Sequence, residues 1–469
     1  MLLAAGCAEG VREASVPVNL PEPPKQAEVS PGTQREHQRI LSAYGGAYEN
    51  PHLEALIGET VDRLVAASER PNLKYKVTIL NSAAVNAFAL PNGQLYVTRG
   101  LLALASDTSE LSSVLAHEMA HVIARHAAMR EDQAKQAAQS NRDASELFND
   151  PQMGAMALAR TKIQLASFSR SQELEADGIG VGISARAGFD PYGAVRFLTA
   201  MGRNADLRTN TASNVDARFL DFLSSHPATP DRLKIARANA RQYAQPTDGG
   251  RDRDAYLSGI DGLVYGEDPS EGYVRGRRFL HPRLGFTFTA PESFTLENTA
   301  QAVLGISQNG ALALRLDVVR VPSEQTLSDY LNSGWIENVD TQSLEALSIG
   351  GFPAATATAK GDQWSFRLYA VRFGSEVYRF IFAAKSKTPE TDRSFREALE
   401  TFRRMSLKEA SEVHPLRLKI VTVAANDTVD TLARRMAQPD HAAERFRALN
   451  GLGPHDAVKP GRKVKIVVD

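Results

Sequence analysis

Long apolar runs are missing from this sequence: none approaches the roughly 18 to 20 residues that span a bilayer, so any attachment to a membrane requires an anchor. A surplus of either charge is missing as well. With 54 basic and 55 acidic side chains among 469 residues, the chain has no electrostatic footprint for nucleic acid, and that partner class is excluded. Cysteine is reduced to Cys7, and a Cys-free remainder suits an oxidising compartment and a cytosolic one alike. No internal repeat is found. What is present is ordinary for a soluble chain, 43% hydrophobic and 23% charged, and its length predicts two to four domains rather than one core.

The order of local signals divides the chain. Residues 1–35 hold Cys7 behind the small residues Ala4, Ala5 and Gly6, followed by a proline-rich polar stretch that reads as a flexible tether. Residues 36–245 are mainly helical in pattern, with two strand-like runs, KYKVTIL and NAFALPNGQLYVT, the second carrying an Asn-Gly turn. QPTDGGRDRD breaks the pattern, and 246–270 is the expected linker. Residues 271–408 alternate β-rich runs (GFTFTAP, ALALRLDVVRV, FPAATATA, WSFRLYAVRF, EVYRFIFAA) and close on a helix over about 392–405. The expected fold class is therefore α+β: a mainly helical domain with a small sheet, then a β-rich α+β domain, then a small module at 416–469.

AHEMAHVIARHA, residues 116–127, carries the chemistry. Residues four apart on a helix share a face, so His117 and His121 can aim two imidazoles at one ion while Glu118 sits beside it as general base. Leu111, Val114 and Leu115 would pack this helix into a core. His126, nine residues from His117, falls on the opposite side of a continued helix and is expected to be structural. Ala124 and Ala127 stand where a metzincin has its glycine and third histidine, so the third ligand comes from elsewhere. SFSRSQELEADGIG holds Glu173 and Asp177 four apart: either one carboxylate binds the ion while the other orients a ligand histidine, or both are acids on a solvated face.

AHEMAHV followed by SRSQELEAD resembles the zinc metallopeptidases of the HtpX-like and BepA-like family, which includes the CAAX prenyl protease. NAFALPNGQLYVTRGLL upstream and SSHPATPDR downstream match further family segments, so the resemblance spans roughly residues 75 to 240. It implies a gluzincin-type zincin fold and one Zn²⁺ per chain held by His117, His121 and Glu173. It implies Glu118 activating a water, with Asp177 in support. In BepA-like members the histidine of the HP segment can occupy the open zinc position and keep the enzyme latent. The matching residue is His226, for which a loop-capping role is the alternative; Arg232 either stabilises an oxyanion or ties down the loop. The NAFALP edge suits an extended peptide, though Phe88 serves equally as core.

Other resemblances complete the expectation. MLLAAGC is similar to a bacterial lipobox, which implies a lipid anchor at Cys7 and a periplasm-facing place in the bacterial envelope. The layout of 271–408 is similar to the PsbP-like fold. Residues 416–469, with Asp427-Thr428, Asn450 and Pro460-Gly461, resemble a LysM module and imply peptidoglycan as a partner, although Asn426 replaces the usual glycine. The leading expectation is a zinc metalloendopeptidase acting on unfolded or stalled envelope proteins. The alternatives are a wall-tethered chaperone or scaffold with a latent or structural zinc site, and a peptidoglycan hydrolase.

Overall fold

The computed structural model describes residues 31–132, 135, 168–211, 222, 226, 230–245, 252–361, 363–438 and 440–469. Cys7 and Pro227 lie outside them. Helix and sheet are mixed throughout, and among the described residues no helix is long and apolar enough to cross a membrane.

Helices α1 (Pro31–Ala43) and α2 (Pro51–Ala67) precede a three-stranded sheet of β1 (Lys76–Leu80), β2 (Ala87–Ala89) and β3 (Gln94–Thr98), in the order β1-β3-β2. The two strand-like runs of the sequence thus become one sheet: β3 pairs parallel with β1 and antiparallel with β2. The turn into β3 passes Gly93 at φ 82°, a left-handed conformation that glycine adopts without strain. β2 is an edge strand, and its far side faces the site.

A short helix, α3 (Arg99–Leu104), leads into α4 (Thr108–Ile123), which carries the HExxH residues. α4 begins where it does because the Asp107 side chain accepts from the Glu110 backbone N–H, while the Glu110 carboxylate accepts from the N–H of Ser106. Burial runs around the whole helix, so α4 is a core helix rather than an amphipathic one. Against it lie α5 (Arg170–Arg186), opened by a capping box between Ser169 and Gln172, and α6 (Gly193–Thr211). Gly180 lets α5 come this close: a Cβ there would stand 3.0 Å from the backbone nitrogen of His117. Helix α7 (Pro230–Arg241) packs on α5 and brings in Arg232.

Within 246–270, read from sequence as a linker, residues 253–259 form helix α8 (Arg253–Gly259), with Tyr256 and Leu257 fully buried in the same core as α2 and α4. The Tyr256 hydroxyl donates to the carbonyl of Leu102 at 2.7 Å. Breaker residues were a sound signal for a change of element; apolar side chains two turns later decided that the chain packs there.

Ten strands follow. β7 (Phe294–Asn298), β8 (Val303–Ser307), β9 (Leu312–Val319), β10 (Val339–Ile349), β11 (Phe352–Lys360), β12 (Ser365–Phe373) and β13 (Glu376–Ala384) make an antiparallel sheet in the order β10-β11-β12-β13-β9-β8-β7, and β4 (Tyr273–Arg275), β5 (Arg278–His281) and β6 (Phe286–Thr289) join β14 (Arg403–Arg404) in a four-stranded sheet. Phe286, Phe288, Phe380, Phe382 and Phe402 fill the core between them. Helix α10 (Pro389–Glu400) starts and stops earlier than the sequence pattern suggested, because Thr388 forms a capping box with Thr391 and Pro389 takes the first turn. The apparent tail of that helix is the short strand β14 (Arg403–Arg404). Sequence patterning missed β10 (Val339–Ile349), an edge strand whose side chains are mostly exposed and therefore carry no apolar period.

The C-terminal segment runs β15 (Arg417–Thr422), α12 (Val429–Ala433), α13 (Ala442–Leu449), β16 (Lys463–Val468), with β15 and β16 antiparallel. It is not separate from the helical part. Leu418 exchanges backbone hydrogen bonds with Gly262 and Leu263 at 2.8 and 2.9 Å, and Leu418, Leu432 and Phe446 belong to the core that contains α4. Lys465, fully buried, donates from Nζ to the carbonyls of Ala103, Leu104 and Ala105 at 2.8, 2.9 and 2.8 Å. These are carbonyls at the end of α3, which a helix leaves without intrahelical partners.

Candidate metal centre

On α4, His117 and His121 present Nε2 atoms 3.0 Å apart. From α5, Glu173 places its carboxylate oxygens 3.6 Å from His117 Nε2 and 3.5 Å from His121 Nε2. His226 enters from the segment before α7, with Nδ1 2.8 Å from Glu173 Oε1 and 3.3 Å from His117 Nε2. One donor atom from each of His117, His121, Glu173 and His226 lies within 4.8 Å of the other three, and all four residues are buried. The HExxH spacing, the downstream acid and the HP histidine, separated by a hundred residues of chain, meet at one point.

Electrostatics favours an ion there. Burial pushes His117 and His121 below the usual imidazole range, and His226 is pushed down to about 3 by burial and by the Arg232 charge. The three rings are thus neutral and offer lone pairs. Glu118 is pushed well above the usual carboxylate range by burial and by the charge of Glu173, against a hydrogen bond from the Ala89 backbone. Its Oε1 is buried without a hydrogen-bond partner, 3.6 Å from His226 Nε2. Neutral imidazoles and a carboxylate converging on one point form a donor set that suits a divalent metal ion rather than a self-sufficient hydrogen-bond network.

Around this set lies a second layer. Asp177 Oδ1 is 3.0 Å from His117 Nδ1. Burial would raise the Asp177 carboxyl, but Arg232 and His117 hold it below its ordinary value. Arg232, 2% exposed, grips Asp177 with Nε and Nη2 at 2.8 and 2.7 Å, reaches Glu173 Oε2 with Nη1 at 2.8 Å, and donates to the His226 carbonyl at 3.2 Å. These contacts join Arg232 to His226 and to both acids. Phe88, half-buried, stacks on Tyr96 with ring centroids 4.9 Å apart, a contact that leaves both of its readings open.

His126 departs from expectation. The continued helix that would carry it to the far side does not exist: α4 ends at Ile123, Arg125 has φ 57°, and His126 turns back to put Nδ1 2.9 Å from Nδ1 of His121. Phe168 also lies on the site, stacked on His121 at 4.0 Å. No spacing rule could have found either, because both depend on where the chain leaves a helix.

Comparison with known proteins is consistent with this geometry. Residues 51–240 match the model of peptidase family M48. This part of the chain is similar to that family. The M48 segment holds His117, Glu118, His121, Glu173, Asp177, His226 and Arg232. The chain is 31% identical over 213 residues to the β-barrel assembly-enhancing protease of Escherichia coli, covering 44% of this chain and 42% of that protein. It is 31% identical over 217 residues to the mitochondrial metalloendopeptidase OMA1 of Schizosaccharomyces pombe, covering 43% of this chain and 58% of that one. The chain thus spans about half the length of the curated relatives it matches. A solved structure, the cyanobacterial PsbP of Synechocystis, aligns with 30% of this chain and 98% of its own at 15% identity and a TM-score of 0.23.

Proposed function

We propose that the protein is a zinc-dependent metalloendopeptidase in which His117, His121 and Glu173 hold the single Zn²⁺ and Glu118 is the general base. The observation that carries this reading is the buried four-residue donor cluster with the Glu118 carboxyl beside it. When bound, zinc supplies a Lewis acid that polarises a peptide carbonyl and makes water more acidic. Glu118, kept basic by burial, takes the proton of the attacking water and hands it to the departing amine. Asp177 fixes the ring of His117 through Nδ1, and Arg232 holds Asp177 and Glu173 in place. The free edge of β2, whose Ala89 backbone already touches Glu118, suits an extended substrate peptide.

His226 is the regulatory element of this proposal. As a fourth protein donor it would fill the position a water needs, so an ion held by all four residues would be latent until His226 leaves. The same contact supports a second reading, a scaffold whose zinc site stays shut.

The wider role is read from relatives named for β-barrel assembly and mitochondrial proteolysis. It is cleavage of unfolded or stalled proteins in a bacterial envelope, with membrane attachment through a lipid at Cys7. The chain is divided as a peptidase domain over 36–245, a PsbP-like α+β domain over 271–408 and a LysM-like module over 416–469 that contacts peptidoglycan. The test is Glu118→Gln. It keeps one zinc per chain and lowers casein cleavage by roughly 10²- to 10⁴-fold; undiminished cleavage removes Glu118 as base, and a wild type that holds zinc but never cleaves favours the scaffold.

A further inference from the structure

We infer that His126 and Glu175 form an outer positioning pair for the metal ligand His121, an imidazole-imidazole-carboxylate chain running from the metal centre to the surface. The inference rests on the zinc reading above. His121 has two ring nitrogens, and Nε2 faces the donor cluster, 3.0 Å from His117 Nε2. The other, Nδ1, is 2.9 Å from Nδ1 of His126. Two nitrogens at that separation share one hydrogen. A ligand that gives its Nε2 lone pair to an ion keeps its hydrogen on Nδ1, so His121 donates and His126 accepts. The remaining hydrogen of His126 is then on Nε2, and that nitrogen faces Glu175 Oε2 at 3.2 Å. Each nitrogen in the chain has one role and none is left over.

The surroundings are built for this arrangement. His126 is fully buried, whereas the Glu175 side chain is 58% exposed, so the chain of contacts crosses from core to solvent in two steps. The left-handed backbone at Arg125, unusual outside glycine, is what swings His126 back against α4. Phe168 stacks on the His121 ring at 4.0 Å and Arg130 lies over Phe168 at 4.4 Å, which leaves His121 little room to rotate. His117 is served separately, by Asp177. Each histidine of the HExxH pair therefore has its own partner on the nitrogen turned away from the ion, the arrangement that fixes ring orientation at metal sites.

The test compares zinc affinity of the full-length protein, by competition with a chelator, in wild type, His126→Leu, His126→Gln and Glu175→Ala, alongside the visible spectrum of the Co²⁺-loaded forms. His126→Leu keeps the volume and removes the acceptor; zinc affinity falls by about 10- to 100-fold and the cobalt bands shift. His126→Gln can accept from His121 and donate to Glu175 through its amide, and it recovers most of the affinity and the wild-type bands. Glu175→Ala, on the surface and harmless to folding, gives a smaller loss in the same direction. If both His126→Leu and Glu175→Ala bind zinc as tightly as wild type with unchanged cobalt spectra, the positioning role is wrong. If the wild type itself binds no zinc, the metal reading fails first and this inference with it.

Discussion

At its first turn α4 buries Asp107 and Glu110, and further along it buries His117, Glu118 and His121; the two regions share a helix and differ in how the charge is met. The upstream acids face cations. Arg196 reaches Asp107 at 3.0 Å, Glu110 at 3.4 Å and Asp190 at 2.7 Å, and buried Lys465 spends its ammonium on the carbonyls that end α3. Burial pushes Glu110 up and Lys465 down, each opposed by the other's charge. Downstream, three neutral rings and the acids Glu118, Glu173 and Asp177 crowd together, and Arg232 is the cation that meets them, gripping Asp177 and Glu173 from behind. A buried network whose charges already match reads as structural. One whose lone pairs converge without a cation between them reads as a site.

The sharpest way to break that comparison is at the downstream end. Glu173→Ala is expected to take zinc from one per chain to none and to reduce proteolysis to background, measured by metal analysis and casein cleavage on the same sample. Full metal and full activity in that variant would put the third ligand elsewhere. At the upstream end, Lys465→Met strands three carbonyls in the core and is expected to cost about 2 to 4 kcal/mol of stability in denaturant melts. Zinc stoichiometry should be unchanged. Loss of zinc with retained stability would mean that the two ends are one functional unit.

His226→Ala sharpens the comparison by removing a donor rather than a support. Turnover of an unfolded substrate is expected to rise, with zinc content held by the three remaining ligands; reduced turnover with intact fold and metal would exclude the latency device. The smallest effect is far from both ends. His281, in β5 (Arg278–His281), is pushed down to about 4 by burial and by the Arg283 charge. Its folded value lies below the 6.5 of the free side chain, so the unfolded chain binds more protons between those two values. Stability is therefore lost as pH falls from about 6.5 towards about 4, by roughly 1 kcal/mol per pH unit. His281→Phe should flatten this slope in thermal melts, and an unchanged slope would assign it to other groups.

Much of the site was legible because a helix converts spacing into direction: His117 and His121 share a face for the same reason that Glu173 and Asp177 do. Hairpin chemistry at Asn92-Gly93 and the β-rich runs after residue 285 were equally local signals. Other features had no local signature. Polar β10 is a strand because β11 pairs with it, and α8 is buried because the core beneath it has room for Tyr256 and Leu257.

The amino-acid sequence by itself determined which side chains could serve a zinc peptidase, since ligand type and helical spacing are properties of neighbours along the chain. Only the tertiary structure decided which of them meet. It decided that His226 meets the other three donors, that Arg232 contacts His226 and both acids, that His126 lies against His121 and that Lys465 joins the C-terminal segment to α3. The physical reason is that a lone pair or a buried charge is satisfied by whatever stands within about 3 Å, and proximity between residues a hundred or three hundred positions apart is set by packing of the whole core, not by any local pattern.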